Sequence, residues 1–412
     1  MTSLVTGADG SGFGIENLPL GVFATDDQPR PGVAIGPSIV DLSMLIRERL
    51  VDDETLLDAS ALNDFLAHGP GAWRTLRTTL QRLLGENATA EERDAVLRAL
   101  VPRDAVTMMM PIDVQDFVDF FSGIEHAING GKILRPGSEP LAPNYRYLPV
   151  GYHGRASTVV VSGTPIHHPK GQHKRAEEPA PAFGPSEQLD IELELAFIAG
   201  PGNKMGEPIP ADAVREHVYG YVLLNDWSAR DIQSWESQPL GPFLAKSFAT
   251  SISPWLISLD ALEPFRVRNR EQEPEPLPHL RVRENYAYDI SLEILLQTEK
   301  MREQNIAPAH ISKTNFREMY WNVAQQLAHM TSNGSRIRAG DLFGSGTVSG
   351  RDPGTYGSLL ELTRRGTEPI ALPSGEMRGF LENGDTVILR GWAGSGPARI
   401  DFGEVRGTIT AH

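Results

Sequence analysis

Glu192 and Glu194 sit two apart in the alternation of Leu189, Ile191, Leu193 and Leu195, so on a strand both point to the same side. Two carboxylates side by side repel unless a cation neutralises them. The run continues as Leu195-Ala196-Phe197-Ile198-Ala199, which suits a strand covered on both faces, and an exposed face carrying the two glutamates is the competing reading. In the segment 114–130, which reads as a helix, Asp119 and His126 are seven apart, nearly two turns, and share a face. Spacing alone leaves open a solvated aspartate and a surface histidine there. Asp226 closes the apolar run 219–224 and precedes Ser228-Ala229-Arg230-Asp231, a capping-box start to a helix on which Arg230 and Gln233 share a face. Lys246 lies between Phe243 and Phe248, unlike an ordinary solvated lysine, although a structural ion pair would account for it equally well. Should Asp119, Glu192, Glu194 and Asp226 converge, four oxygen donors without a thiolate make a hard-cation site suited to Ca2+ or Mg2+.

Composition narrows the chemistry. The chain has 412 residues, no cysteine, 38 basic and 53 acidic side chains, and a formal charge of −15. Disulfides, thiolate metal sites, iron-sulfur clusters and cysteine nucleophiles are excluded. An acidic chain without a basic face is not built to displace counterions from nucleic acid. Gly344-Ser345-Gly346-Thr347 and Gly151-Tyr152-His153-Gly154-Arg155 permit close backbone approach to a ligand, but neither is a phosphate loop. His167, His168 and His173 fall in a Pro/Gly/Lys-rich stretch and read as a surface loop, not a zinc site. The first 20 residues lack a signal-peptide pattern, and no run approaches the roughly 18 apolar residues of a membrane span, so a soluble cytoplasmic protein is expected.

These side chains must be positioned by many short elements, because 40 glycines and 31 prolines are spread along the chain. Strands are expected at 22–25, 32–35 and 39–42, forming a small barrel. A helical connector follows, with Trp73, Leu76, Leu80, Leu83 and Leu84 on one face, then a Thr89/Glu92 capping box ahead of Val96, Leu97 and Leu100. The boundary falls near Pro111, dividing the chain into 1–110 and 111–412. Beyond it strands dominate, including the alternation Tyr288, Ile290, Leu292, Ile294 and Leu296, with a long helix expected over 315–330 and stopped at Asn333-Gly334. Strands and helices do not alternate regularly, so the class is mainly β with α, and Rossmann and TIM architectures are disfavoured.

Specific strings go further. Asp119-Phe-Phe-Ser-Gly-Ile-Glu-His126, Leu148-Pro-Val-Gly-Tyr-His-Gly-Arg-Ala-Ser157, Asp190-Ile-Glu-Leu-Glu194, Asn225-Asp-Trp-Ser-Ala-Arg-Asp-Ile-Gln233, Pro239-Leu-Gly-Pro-Phe-Leu-Ala-Lys-Ser247 and Gly344-Ser-Gly-Thr347 resemble, in that order, the motifs of the fumarylacetoacetase family. The resemblance extends from Asn17-Leu-Pro-Leu-Gly-Val-Phe23 to the C-terminal strands. It implies an SH3-like N-terminal barrel followed by a mixed β-roll catalytic domain, assembled as a homodimer. The implied reaction is hydrolysis of 4-fumarylacetoacetate, a dianionic diketo acid, to fumarate and acetoacetate, the last step of tyrosine and phenylalanine breakdown. Asp119, Glu192, Glu194 and Asp226 match the Ca2+ ligands, with Lys246 and Thr250 near a second, Mg2+-type position beside Asp226. His126 matches the general base and Glu361 its orienting partner. Arg230, Gln233 and Lys246 match the groups around the reacting carbonyl and leaving group, while Arg135, Tyr152 and Thr347 match the substrate-gripping set. Phe121 and Ser237 depart from the family, each standing where a substrate-contacting tyrosine is usual. The alternatives are a related superfamily hydrolase or decarboxylase acting on another dicarbonyl acid such as fumarylpyruvate, and a non-catalytic binding protein of the same fold.

Overall fold

The N-terminal strands form where glycine and proline punctuate the apolar runs: Leu20–Thr25, Gln28–Ile35 and Ser38–Asp41. In the computed structural model, which describes residues 2–26 and 28–411, they pair antiparallel and gain Leu100–Pro102 and Thr107–Met108 at the two edges, making a five-stranded sheet. The helix Pro70–Leu84 buries Trp73, Leu76, Leu80, Leu83 and Leu84, the expected stripe. The next helix, Ala90–Arg98, has the Thr89/Glu92 capping box and buries Val96, but Leu97 is exposed. Neighbours on a helix are about 100° apart, too far for both to share one narrow stripe.

An eight-stranded sheet forms the centre of the remaining chain. Its order is Gly151–His153, Phe117–Phe120, Leu342–Gly344, Leu193–Ala199, Val218–Asp226, Thr250–Ile252 and Val159–Val161, with Ile257–Ser258 also paired to Val218–Asp226. Its two faces belong to different cores. Leu195, Phe197, Tyr221 and Leu223 pack with a second sheet built on Ile290–Gln297, Thr386–Ala393 and Ile400–Thr410. Ala196, Ile198, Val222 and Leu224 pack instead with the N-terminal segment. Cover on both sides explains why every residue of Leu193–Ala199 is buried. A Cβ on Gly391 would lie 2.9 Å from Leu223, so the sheets meet too closely there for a larger residue.

Four sequence expectations are corrected. Asp119 and His126 do not share a helix: Asp119 lies on the strand Phe117–Phe120, and His126 on the helix Ile124–Leu134. Parallel pairing of Phe117–Phe120 with Leu342–Gly344 outweighs the helical spacing, and the chain turns at Gly123, where a Cβ would meet the Thr347 carbonyl at 2.2 Å. The helix expected over 315–330 spans only Val323–Thr331, because Ala309–Asn315 is an edge strand and Asn322 with Gln325 forms the capping box. The helix Arg230–Glu236 has no side-chain cap; Ser228–Ala229 instead pairs with Leu189–Asp190. His167 and His173 lie on the short strands Ile166–His167 and Lys170–His173, and His173 is buried, so this stretch is not simply a surface loop. Among the described residues no helix is long and apolar enough to cross a membrane.

Candidate active site

The registers of the central sheet bring its polar residues to one end. Asp119 is opposite both Tyr152 and Gly344, Gly344 is opposite Ala196, Leu193 is opposite Asn225, and Asp226 is opposite Thr250. Residues opposite one another share a face, and the face alternates along each strand. Tyr152, Asp119, Glu194, Asp226 and Thr250 therefore project on the side that, further along the strands, packs on the N-terminal segment. Gly344 sits among them, and a Cβ there would lie 2.7 Å from Asp119 Oδ1 and 3.0 Å from Glu194 Oε2.

Asp119, Glu192 and Glu194 each place a carboxylate oxygen within 4.8 Å of the others, all buried. Asp226 joins them through shared partners: the Tyr152 hydroxyl lies 2.7 Å from Asp226 Oδ2 and 3.0 Å from Asp119 Oδ2, and Lys246 Nζ donates to Asp226 Oδ2 at 2.7 Å and to Glu192 Oε2. Thr250 Oγ1 donates to Asp226 Oδ1 at 3.3 Å. Burial, reinforced by Asp226, pushes the Asp119 carboxyl well above its usual range, and burial with Asp119 and Glu192 does the same for Glu194. Burial would also raise Glu192, but Lys246, Arg230 and His126 outweigh it and hold it down to about 2. Burial disfavours the Lys246 ammonium, yet Asp226 and Glu192 more than compensate and keep it charged. The two cations in reach, Lys246 and Arg230, are fewer than these four carboxylates, and Arg230 is shared with Asp190 as well, so the cluster is short of positive charge. Asp119 Oδ1 and Glu194 Oε1 are buried without a hydrogen-bond partner among the described residues. An all-oxygen donor set with two orphaned acceptors fits one hard divalent cation.

His126 faces this cluster. Its Nδ1 is 2.6 Å from Glu361 Oε2 and its Nε2 is 3.7 Å from Glu192 Oε1. An ionised Glu361 can only accept, so it selects the tautomer protonated at Nδ1 and leaves the Nε2 lone pair turned inward. Burial would raise Glu361, but His126 and hydrogen bonds from His126, Asn129 and Ser358 hold its carboxyl below the ordinary value. Asn129 Nδ2, Ser349 Oγ and Ser358 Oγ donate to it at 2.9, 2.9 and 2.8 Å. Sequence reading missed these three. Asn129 lies one helical turn from His126, and Ser358 caps the turn Leu359–Leu362 that carries Glu361, so the signal was present in the spacing.

Arg230 donates through Nη1 to Gln233 Oε1 at 3.1 Å and pairs with Glu192 at 2.8 Å, while its Nη2 is buried without a partner among the described residues. Thr347 Oγ1 is likewise buried with no partner among them. With Gln233 Oε1 occupied, the Gln233 amide nitrogen remains as a donor. Tyr152, Asp226, Phe243, Lys246 and Thr250 line a cleft of about 240 Å³ beside the cluster. The Phe121 ring stands edge-on to His126, with centroids 5.4 Å apart. Ser237 ends the Arg230–Glu236 helix, and its hydroxyl is spent on the Gln233 carbonyl. Arg135 is not drawn into the cluster: it follows the far end of the His126 helix, exposed, and donates to the Pro140 carbonyl at 2.8 Å.

Comparison with known proteins places this geometry. The chain is 46% identical over 415 residues to the fumarylacetoacetase of Rattus norvegicus, covering 99% of this chain and 98% of that one. It is 44% identical to the fumarylacetoacetase of Arabidopsis thaliana, again over 99% and 98% of the two chains. Among solved structures, the fumarylacetoacetate hydrolase of psychrophilic Exiguobacterium antarcticum shares the fold, with a TM-score of 0.53 at 16% identity over 96% of this chain and 100% of that one. Residues 16–111 match the fumarylacetoacetase N-terminal family model and residues 123–410 the fumarylacetoacetate (FAA) hydrolase C-terminal model. With both models matched in order and relatives this similar along the whole chain, the protein belongs to the fumarylacetoacetate hydrolase family.

Proposed function

We propose that the protein hydrolyses the carbon-carbon bond of 4-fumarylacetoacetate, releasing fumarate and acetoacetate as in the last step of tyrosine and phenylalanine breakdown. The observation that carries this reading is the His126–Glu361 pair turned onto a buried four-carboxylate cluster, in a chain whose full-length relatives are named for that activity. His126 Nε2 takes a proton from water, and the hydroxyl adds to the fumaryl carbonyl carbon. Glu361 steadies the imidazolium that results. Lys246, Arg230 and Gln233 donate to the developing oxyanion and to the departing enolate, each such donor contributing about 3 to 4 kcal/mol. Collapse breaks the carbon-carbon bond, and the acetoacetate carbanion takes up a proton, so water is divided between the two products. A divalent cation held by Asp119, Glu192, Glu194 and Asp226 would polarise the diketone and offset the enolate charge.

Ca2+ is the proposed ion at those four carboxylates, and a second, Mg2+-type position is proposed beside Asp226, Thr250 and Lys246. Because the Lys246 ammonium stays protonated, its contribution to that position falls to its backbone carbonyl. Tyr152 and Thr347 are assigned to gripping the dianionic substrate at the cluster and Arg135 to meeting it from outside, with Phe121 and Ser237 lining its path. A homodimer, a cytoplasmic location and a division at about residue 110 into an SH3-like barrel and a catalytic β-roll belong to the same reading. The switch from the five-stranded to the eight-stranded sheet supports that division. Turnover of fumarylacetoacetate and fumarylpyruvate, followed side by side as ultraviolet loss of the conjugated diketone, tests the assignment. Faster cleavage of fumarylacetoacetate is expected; a preference for fumarylpyruvate, or no loss of either, would replace it.

A further inference from the structure

Asp190 has no solvent exposure, 0%, and lies outside the cation cluster. Its Oδ1 accepts from the backbone N–H of Ile191 and of Leu359, both at 2.7 Å. Its Oδ2 accepts from the Leu360 N–H at 3.0 Å and from Arg230 Nε at 2.8 Å. Four donors on one carboxylate fill its acceptor capacity. Two of them are the first amides of the turn Leu359–Leu362, on which Glu361 is the third residue. The turn's own cap, Ser358, is engaged with Glu361, and Asp190 ties the turn to the two-stranded pair Leu189–Asp190 and Ser228–Ala229, from which the Arg230 helix starts. The other two donors are the adjoining Ile191 N–H and Arg230, whose Nη1 reaches Gln233 and Glu192 and whose Nη2 has no partner among the described residues.

We propose that Asp190 is a positioning residue that locks the base's carboxylate and the oxyanion-facing guanidinium into one fixed relation. The inference rests on the reading of His126–Glu361 as the base and Arg230 as an oxyanion donor. The physical reason lies in the chain path: Glu361 and Arg230 belong to segments more than a hundred residues apart, and no other described side chain is hydrogen-bonded to both the 359–360 amides and Arg230. A backbone shift at either segment would move a reacting group by a fraction of an ångström, enough to cost rate when donors must be preorganised. A buried acidic group without this role would stabilise the fold and leave kcat unaffected.

Asp190→Asn is nearly isosteric, but it turns an amide N–H toward two of the four donors. In the cation-loaded enzyme kcat should fall about 10- to 100-fold, as for partners that orient reacting groups, with KM changed less than about threefold. In the Arg230→Gln/Glu361→Gln background, adding Asp190→Asn should lower kcat by less than about threefold more, since the groups it aligns are gone. Asp385→Asn is the control: Asp385 is equally buried and holds Arg378 Nε at 2.9 Å outside the site, so its loss should lower Tm and spare kcat. Should Asp190→Asn fail to fold, Asp190→Glu, which keeps the charge but displaces the carboxylate from the 359–360 amides, is expected to reproduce the kcat loss with KM little changed. The proposal is overturned if Asp190→Asn retains kcat within about threefold, if its loss is undiminished in the double variant, or if Asp385→Asn lowers kcat equally. If Arg230→Gln and Glu361→Gln themselves leave kcat intact, the reading of base and donor fails first, and Asp190 loses its role with it.

Discussion

His126 touches Glu361 through Nδ1 and turns Nε2 toward carboxylates without being one of the three residues whose oxygens cluster within 4.8 Å. That separation of roles gives a sharp expectation. His126→Ala should lower kcat by about 10² to 10⁴, the range for a lost general base, while Ca2+ affinity measured by titration calorimetry stays close to wild type. Loss of both together would make His126 a ligand. At the same scale, Phe121 and Ser237 cannot replace tyrosine hydroxyls: one packs its ring nearly perpendicular to His126 and the other spends its hydroxyl on the helix backbone. Arg230 Nη2 and Thr347 Oγ1, buried and without a partner among the described residues, are donors still available beside the Gln233 amide.

At the scale of elements, the site is a row of strand ends, and Gly344 shows how tightly the row is packed. Gly344→Ala puts a methyl 2.7 Å from Asp119 Oδ1, so it should weaken Ca2+ binding by at least about tenfold and destabilise the loaded protein by about 1 to 3 kcal/mol, read by calorimetry and thermal unfolding. Wild-type affinity would mean that the Leu342–Gly344 strand can move aside. A second element tests electrostatics away from the site. Burial pushes Asp341, in the turn before that strand, up to about 6 from 3.8. The folded state then holds the proton more tightly, so the contribution to stability is complete below about 3.8 and is lost as pH rises through about 6. Asp341→Asn, which can still accept from the Arg338 N–H as Asp341 does at 2.8 Å, should raise Tm at pH 8, with the gain vanishing toward pH 4. An equal gain at both pH values would remove the protonation argument. Period two made the Ile290–Gln297 strand legible in the sequence, whereas the segment around Asp119 misled because four residues of strand and a tight turn mimic helical spacing.

For the whole molecule, the N-terminal segment is a cover for one face of the central sheet. Trp73 stands edge-on to Tyr219 with centroids 5.3 Å apart, Leu20 bridges to Leu256, and a Cβ on Gly200 would meet Trp73 at 2.3 Å. A fragment of residues 111–412 would expose Ala196, Ile198, Val222 and Leu224 to water. Such a contiguous apolar face favours aggregation, so the fragment should elute in the void volume on size exclusion and lack a near-ultraviolet dichroism signal. A monodisperse, folded fragment would show that the catalytic unit is self-sufficient. Overall charge acts at this scale as well: a field from a net −15 repels a dianionic substrate. Attraction must come from local positive charge, and because Arg230 and Lys246 are already paired with Asp190, Glu192 and Asp226, the cation proposed at the cluster would supply much of it.

Residue types and short spacings narrowed the chemistry, and the family resemblance assigned the roles. Without cysteine, carboxylates such as these could make only a hard-cation site if they met, and the parity of Glu192 and Glu194 on one strand put those two on one face. Stripes such as Trp73 to Leu84 were equally legible, because helical periodicity is a local property. Tertiary structure alone decided that Asp119 and Asp226 meet those glutamates, that Glu361 arrives from 235 residues away to hold His126, and that Asp190 joins that carboxylate to Arg230. Those outcomes depend on strand order and register, set by which faces are buried against which partners, and no spacing along a single chain encodes the distance between strands that are not neighbours in sequence.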